Sequence, residues 1–324
     1  MTASDPRAKV AVTGAAGFVG QALVSELRAA GRRYRAIVRA APGKSDANVH
    51  AVGDLAAADD DALARALDGV TTLVHLAGRA HVVKEKDAAT AAEAHRLANA
   101  VATERLAKAA VRAGVAHFMF LSTIKVHGEA SEPGRPFRAD DPLKPEDDYA
   151  RSKRDAEMAL TATAAGTPMA CTILRPPLVY GPQVRGNFLA LWQAVDRGLP
   201  LPLSRIDNRR QLLYVGNLVH ALVQLAHQAD AAGAWLVADA EALSTPELVR
   251  RIAAVLARPA RLVPMPGPLL VAAAAFAGRR AMVARVRGSL ELDVAPLVER
   301  IGPLPFTLDQ GLAITARWWR TRTT

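Results

Sequence analysis

Cysteine is nearly absent from this 324-residue chain. The single thiol, Cys171, excludes an internal disulfide framework and suits a reducing compartment. It lies in the apolar run 170–174, which reads as a buried structural thiol rather than a nucleophile. Aromatic residues make up only 5% of the chain, and no basic–aromatic stripe of the kind that stacks nucleic-acid bases occurs. The net charge of +10 is therefore read as suiting an anionic small molecule, not nucleic acid, because the arginines are spread along the chain. No apolar run approaches the ~20 residues needed to span a bilayer. The most hydrophobic window, 268–277, is followed by Arg279, Arg280, Arg285 and Arg287. It reads as an apolar packing helix ending at a basic loop rather than as a helix lying on a membrane surface. The opening residues 1–9 are polar and lack a signal-peptide core, so the expected location is the cytoplasm. The eight histidines are scattered, and no His/Cys/Asp/Glu cluster has metal-ligand spacing. His75, His81 and His127 are read as satisfied or solvated rather than catalytic. With no G-x-S-x-G elbow, a Ser-His-Asp hydrolase is unsupported.

What remains is a globular composition, 51% hydrophobic and 22% charged, with a regular alternation in the first half. Short β-branched or apolar runs at 9–13, 35–39, 49–53, 72–76, 117–122 and 170–175 read as strands. Between them, 17–30, 59–67, 88–113 and 149–165 read as helices, which is the βαβ pattern of a parallel sheet. After Pro177 prolines, glycines and arginines become frequent and the alternation stops. Segments 212–215 and 235–238 are expected to add strands to the first sheet. Ser244-Thr245-Pro246-Glu247 reads as a capping box. The predicted fold is α/β: a Rossmann-type doubly wound parallel sheet with a smaller, discontinuous C-terminal substrate-binding domain. The first domain is expected to comprise residues 1–178 plus about 212–240, and the second 179–211 and 241–324.

Thr13-Gly14-Ala15-Ala16-Gly17-Phe18-Val19-Gly20 follows the first strand and opens the first helix. Glycines there let the backbone approach a pyrophosphate, and the helix N-terminus offers N–H donors and a positive dipole end. The spacing is G-x-x-G-x-x-G, a variant of the dinucleotide fingerprint. The second strand ends in Val38-Arg39, with no acidic residue until Asp46. A carboxylate there would bind the 2′-hydroxyl of NAD, whereas arginine accommodates the 2′-phosphate, so the site leans toward NADP over NAD. Asp54, in Gly53-Asp54-Leu55, is placed either to bond the adenine amino group or to serve as an ordinary turn aspartate.

Tyr149 and Lys153 stand at i and i+4, one above the other on a helix. A tyrosine titrates near ~10, and a neighbouring ammonium favours the phenolate. Bringing it near ~7 needs about 4 kcal/mol, to be supplied by the lysine and an oxidised nicotinamide. Ser122-Thr123 ends a strand, where a hydroxyl can bond the substrate oxygen that gains or loses the proton. Asn99 lies inside the preceding long helix, where the plain alternative to a functional role is a helix-surface amide.

In this order and spacing the residues resemble the extended short-chain dehydrogenase/reductase family, in its nucleotide-sugar epimerase/dehydratase branch, over nearly the whole chain. The glycine turn matches Thr13–Gly20, the adenine-side aspartate Asp54, the cofactor-flanking strand end His75-Leu76-Ala77-Gly78, and the helical asparagine Asn99. The Ser/Thr–Tyr–Lys set matches Thr123, with Ser122 beside it, Tyr149 and Lys153. Arg175-Pro176-Pro177-Leu178-Val179-Tyr180-Gly181-Pro182 is similar to the family's R-x-x-x-x-Y-G-P. Asn187 falls where such enzymes use an asparagine near the nucleotide diphosphate. The segment 209–215 resembles the one whose arginine holds that diphosphate, with Arg210 favoured. Gly311-Leu312 also fits, while Gly216-Asn217 departs from the family by standing where an aspartate is usual, in a capping role.

The resemblance implies Gly14, Gly17, Phe18, Val19, Arg39, Asp54, Leu55, Leu76, Ala77, Gly78, Asn99, Tyr149, Lys153 and Pro176 as cofactor residues. It implies Thr123, Asn187 and Arg210 as substrate residues, with no metal. The activity implied is NAD(P)-dependent oxidoreduction at C4 of a UDP-sugar in polysaccharide precursor synthesis. A UDP-glucose or UDP-N-acetylglucosamine 4-epimerase holding NAD tightly is the alternative. The intact Thr123, Tyr149 and Lys153 argue against a catalytically silent NADP-sensing protein. The expected partner is a UDP-sugar, with no nucleic acid and no stable membrane insertion; related enzymes are often homodimers through their long helices.

Overall fold

The computed structural model describes residues 9–40, 46–80, 87–266 and 287–323. His81, Arg279, Arg280, Arg285 and the apolar window 268–277 lie outside the described residues. The chain divides into two compact units. The first comprises Met1–His127, Pro142–Pro176 and Val219–Leu236, and the second Gly128–Asp141, Pro177–Leu218 and Val237–Thr324. Residues 128–141 and 212–218, expected in the first domain, cluster with the second unit.

The first unit is built on strands β1 (Val10–Thr13), β2 (Tyr34–Val38), β3 (Val49–Ala51), β4 (Thr72–His75), β5 (His117–Leu121) and β6 (Ala170–Arg175). With Gly233–Leu236 they form a seven-stranded sheet in the order β3-β2-β1-β4-β5-β6 and then Gly233–Leu236. Every pairing is parallel. Strands such as Val10–Thr13 and Thr72–His75 are buried along their whole length, as parallel strands covered on both faces must be. Helix α1 is Phe18–Ala29, α2 Asp60–Leu67, α3 Ala88–His95, α4 Ala102–Arg112 and α5 Asp148–Ala164. Asp59, Asp87 and Asp147 cap α2, α3 and α5 by accepting from backbone N–H groups three residues on. Leu63, Leu67, Leu73, Leu106, Phe118, Phe120, Ala156 and Leu160 close the core between helices and sheet.

The strand order reverses between β1 and β4, both of whose carboxyl ends then face one crevice, where ligands of open α/β sheets bind. The expected long helix at 88–113 is interrupted: Arg96–Val101 forms one π-helical turn between α3 and α4. Such turns insert a residue and re-aim the side chains beside them, often at functional sites. The third strand stops at Ala51, shorter than the pattern predicts.

In the second unit, Val179–Tyr180 pairs in parallel with Leu213–Tyr214, and Arg210–Gln211 pairs antiparallel with Ala242–Leu243. Segment 212–215 therefore does not extend the first sheet; of the two expected additions only 235–238 overlaps a strand of that sheet. The unit is cored by Tyr180, Phe188, Trp192 and Tyr214. Tyr180 stacks on Phe188 at 5.2 Å and donates to Leu308 O at 3.1 Å. A Cβ on Gly311 would lie 2.4 Å from the Tyr180 hydroxyl, so the helix Leu308–Thr323 reaches this ring only with glycine there. Asn217 donates to Asp239 at 2.7 Å and to Phe306 O at 2.8 Å, and accepts from Phe306 N at 3.0 Å. The helix Thr245–Leu256 starts as predicted at Ser244, whose hydroxyl accepts from Glu247 N. Half of the capping box is spent elsewhere, since Glu247 turns to Arg250 and Arg251.

Candidate active site

Thr13 ends β1 and the chain turns sharply at Gly14, whose φ of +66° only glycine adopts at low cost. A Cβ on Gly14 would lie 2.6 Å from Ala77 N, so the turn is pressed against the end of β4. A Cβ on Gly20 would lie 2.1 Å from Gly14 O, which brings α1 equally close from the other side. Gly17 donates to Gly14 O at 2.8 Å and caps α1 without a side-chain acceptor. The N–H groups of the first turn, Phe18 and Val19 among them, therefore face an acceptor the helix does not provide. A cradle that any Cβ would fill, set at the N-terminus of a twelve-residue helix, fits a pyrophosphate.

Beneath this turn lies a directional hydrogen-bond chain. Ala77 N donates to Thr13 Oγ1 at 3.3 Å, and Thr13 Oγ1 is 2.6 Å from His75 Nδ1. His75 Nε2 is 3.0 Å from Thr103 Oγ1, which donates to Asn99 O at 2.6 Å. The set is satisfied when Thr13 donates to Nδ1 and Nε2 carries the proton. Burial, and secondarily the charge of Lys153, hold His75 down to about 3, so it is neutral.

Asn99 is 1% exposed, which excludes the helix-surface amide: the π-helical turn swings it inward. Its Oδ1 accepts from Arg79 N at 2.8 Å, and its Nδ2 donates to Ser152 Oγ at 2.8 Å. Ser152 in turn donates to Tyr149 O at 2.7 Å. Asn99 thereby ties the end of β4 to α5.

Tyr149 lies in the first turn of α5, its ring tilted against His95 at 5.9 Å and beneath Lys125 Nζ at 5.7 Å. Lys125 pairs with Asp147, the N-cap of the same helix. Thr123 begins the 3-10 turn Ile124–Val126 that follows β5, its hydroxyl accepting from Lys125 N at 3.3 Å and acting on the Tyr149 phenol. With the protein's own groups alone, burial pushes Tyr149 up to about 12; Asp147 adds to this, and the Thr123 bond acts against it. Lys153 is itself desolvated down to about 7, with Glu157 pulling upward. Its Nζ lies 3.9 Å from the centre of the Phe120 ring, and 3.8 Å from where a Cβ on Gly78 would stand. At neutral pH the site holds a protonated phenol beside a lysine poised between its two charge states. Ser122 Oγ is buried and has no hydrogen-bond partner among the described residues, an orphan that fits a hydroxyl awaiting a ligand.

The remaining cofactor-side residues divide by geometry. Leu76, Ala77 and Gly78 line the end of β4, and the buried Pro176 accepts from Ile124 N at 2.8 Å, bracing the Thr123 turn. Arg39 is exposed just beyond β2. Asp54 accepts from Ala56 N at 3.0 Å as a turn aspartate, and Leu55 packs against the core. In the second unit, Arg210 donates to Gly288 O at 2.7 Å, and Asn187 is exposed in the first turn of α6 (Gly186–Asp196). Glu157 escaped the sequence reading, and Arg175 was read there only as part of a motif. Glu157 stands one turn beyond Lys153, in Y-x-x-x-K-x-x-x-E spacing, and Arg175 opens the R-x-x-x-x-Y-G-P segment. They form a buried bidentate pair at 2.7 and 3.1 Å. The i+4 spacing was the available signal. Among the described residues no group of His, Cys, Asp and Glu is arranged to hold a metal, and no helix is long and apolar enough to cross a membrane.

A glycine cradle at the switch point of a Rossmann sheet, with Thr, Tyr and Lys gathered at its edge, defines a dinucleotide-dependent enzyme. The model of the NAD dependent epimerase/dehydratase family matches residues 10–238, and the chain belongs to that family. It is 38% identical over 312 residues to a UDP-glucose 4-epimerase of Vibrio cholerae, covering 95% of this chain and 94% of the relative. It is 30% identical to a ceramide reductase of Caulobacter vibrioides (strain NA1000 / CB15N), covering 98% and 96%. Among solved structures it resembles MoeE5 in complex with UDP-glucose and NAD, with a TM-score of 0.77, 28% identity, and 98% and 100% of the two chains covered.

Proposed function

We propose that the protein carries out NAD(P)-dependent oxidoreduction at C4 of a UDP-linked sugar, as net reduction of a 4-keto sugar or its reverse. One observation carries this reading: Thr123, Tyr149 and Lys153 converge beside the glycine cradle within a single unit. The family match and the MoeE5 complex with UDP-glucose and NAD support the substrate and cofactor classes. A bound nicotinamide dinucleotide supplies or accepts the hydride. Tyr149 holds the mobile proton. Protonated at neutral pH, it is a donor to the oxygen that forms when a ketone is reduced, and Thr123 bonds the same oxygen. Lys153 binds the ribose on the nicotinamide side, and in its charged form it lowers the cost of leaving the phenolate behind. With the phenol near 12, reaching pH 7 costs about 7 kcal/mol, more than the free side chain requires.

The glycine turn, Phe18 and Val19 take the pyrophosphate, Asp54 and Leu55 the adenine side, and Leu76, Ala77, Gly78 and Pro176 the flanks of the cofactor. Arg39 accepts a 2′-phosphate, which extends the family's NAD to NADP. The second unit supplies substrate recognition, with Arg210 and Asn187 on the diphosphate; Arg210 offers the planar fork of donors suited to phosphate.

A second reading, a 4-epimerase, is favoured by the 38% identical relative of that name. The two differ in stoichiometry. Nucleotide released by denaturation is identified, and UDP-glucose, UDP-N-acetylglucosamine and a UDP-4-keto-6-deoxy-N-acetylhexosamine are assayed with and without NAD(H) and NADP(H). Stoichiometric consumption of reduced cofactor with the keto sugar supports the first reading; isomerisation without added cofactor overturns it in favour of the second.

A further inference from the structure

The catalytic helix carries a buried charge network that the proposed reaction leaves unused. Arg175, at the end of β6, donates through Nε and Nη2 to both oxygens of Glu157 and through Nη1 to His127 Nε2 at 2.9 Å. The side chains of the pair are 7% and 4% exposed. Glu157 lies one turn beyond Lys153 on α5, and His127 closes the 3-10 turn that Thr123 begins. One guanidinium thus braces both the turn bearing the substrate-side hydroxyl and the carboxylate below the lysine.

We propose that Glu157 and Arg175 are positioning residues for Lys153: the carboxylate keeps the lysine charged where an ammonium is needed, and the guanidinium clamps that carboxylate in place. The surroundings of Lys153 explain why such a device is required. From β4 it meets His75, neutral and bonded at both nitrogens, and from β5 the face of Phe120. From the π-helical turn comes the uncharged amide of Asn99, near Gly78, and on its own helix stand the protonated Tyr149 and Glu157. His95 and Lys125 face Tyr149, and Arg175 is bonded to Glu157. Among the described residues Glu157 is the one anion facing this ammonium, and desolvation already draws the lysine down to about 7. An unpaired buried carboxylate is costly, and the bidentate bond from Arg175 both partners Glu157 and fixes its orientation.

The proposal rests on Lys153 being the cofactor-side ammonium, but its test needs no sugar. Lysine labelled with 13C at Cε is titrated by NMR, the Lys153 resonance being assigned by its loss in Lys153→Met. Glu157→Gln is expected to lower the Lys153 midpoint by about one pH unit or more. Arg175→Gln is expected to lower it too, because the carboxylate loses the bidentate clamp that orients it. The double variant Glu157→Gln/Arg175→Gln removes both charges of the pair together and is expected to show the same drop, so it answers the question if a single variant does not fold. A midpoint within a few tenths of the wild type in folded Glu157→Gln or in the double variant overturns the proposal. An unchanged or raised midpoint in Arg175→Gln overturns the part given to Arg175. A purely structural pair would lower the melting temperature and leave the midpoint in place. Failure to turn over any UDP-sugar would count against the proposed reaction and leave this titration standing.

Discussion

Gly20→Ala tests the cradle most directly. The added methyl would lie 2.1 Å from Gly14 O, 2.7 Å from Ala15 Cα and 2.8 Å from Gly14 C, all backbone, where side-chain carbons essentially never come within 3.0 Å. No rotamer relieves this, so α1 and the glycine turn must separate by about 1 Å. Overpacking of this kind costs ~1–3 kcal/mol, and the better helix propensity of alanine returns about 1 kcal/mol, leaving a net loss of ~0–2 kcal/mol. The effect on binding is larger than the effect on stability, since a displacement near 1 Å moves the N–H donors off the diphosphate and costs about 100-fold, or ~2.7 kcal/mol. Isothermal titration with NAD and NADP, beside urea denaturation, separates the two quantities. Gly31→Ala is the control: its φ of +62° makes alanine strained, but nothing lies within 4 Å of the added methyl, so it loses stability and keeps dinucleotide affinity. Gly20→Ala binding dinucleotide within twofold of the wild type would refute the reasoning.

Tyr149→Phe removes the proton and leaves the cradle intact, so turnover falls by ~10²–10⁴-fold while dinucleotide affinity holds; equal loss of both in a binding assay would contradict the assignment. Asn99→Ala leaves Arg79 N without its acceptor and Ser152 without its donor, so unfolding in urea comes ~2–3 kcal/mol earlier, and a change under 0.5 kcal/mol would count against the tie between β4 and α5. Lys153 is lowered from 10.5 to about 7, so between those values the unfolded chain binds a proton that the folded one does not. Stability at this site accordingly rises with pH across that window, by about 1.4 kcal/mol per unit, and is flat below about 7. Subtracting the Lys153→Met profile at pH 7 to 9.5 isolates this slope, and no difference between the profiles would exclude the lowered titration of Lys153. Asn217→Leu strips Asp239 of one of its bonds in the core of the second unit and should cost ~3 kcal/mol, measured by thermal melting.

The strands of the first unit could be read directly because parallel strands buried on both faces are continuous apolar runs, and 170–175 coincides with the observed element. The glycine turn and the Tyr149–Lys153 pair were legible for a similar reason: each is a local requirement written at a fixed spacing. The π-helical turn at Arg96–Val101 was not legible, since Arg-Leu-Ala-Asn-Ala-Val has no breaker and suits an ordinary helix. Leu213–Tyr214 looked like any β-branched or aromatic strand, and only the competing partner Val179–Tyr180 drew it out of the first sheet.

The sequence by itself determined the fold family, the glycine turn, and the candidate set Thr123, Tyr149 and Lys153, because each depends on residue type and local spacing. Tertiary structure alone decided the charge states. Tyr149 and Lys153 are helical neighbours in either view. That the phenol is pushed upward and the lysine downward follows from desolvation by Phe120, His75 and the packed end of β4, which come from distant segments. That Glu157 and Arg175 stand below them as an ion pair follows from the pairing of β6 with β5. Electrostatic cost depends on what surrounds a group in space, and chain order does not record that.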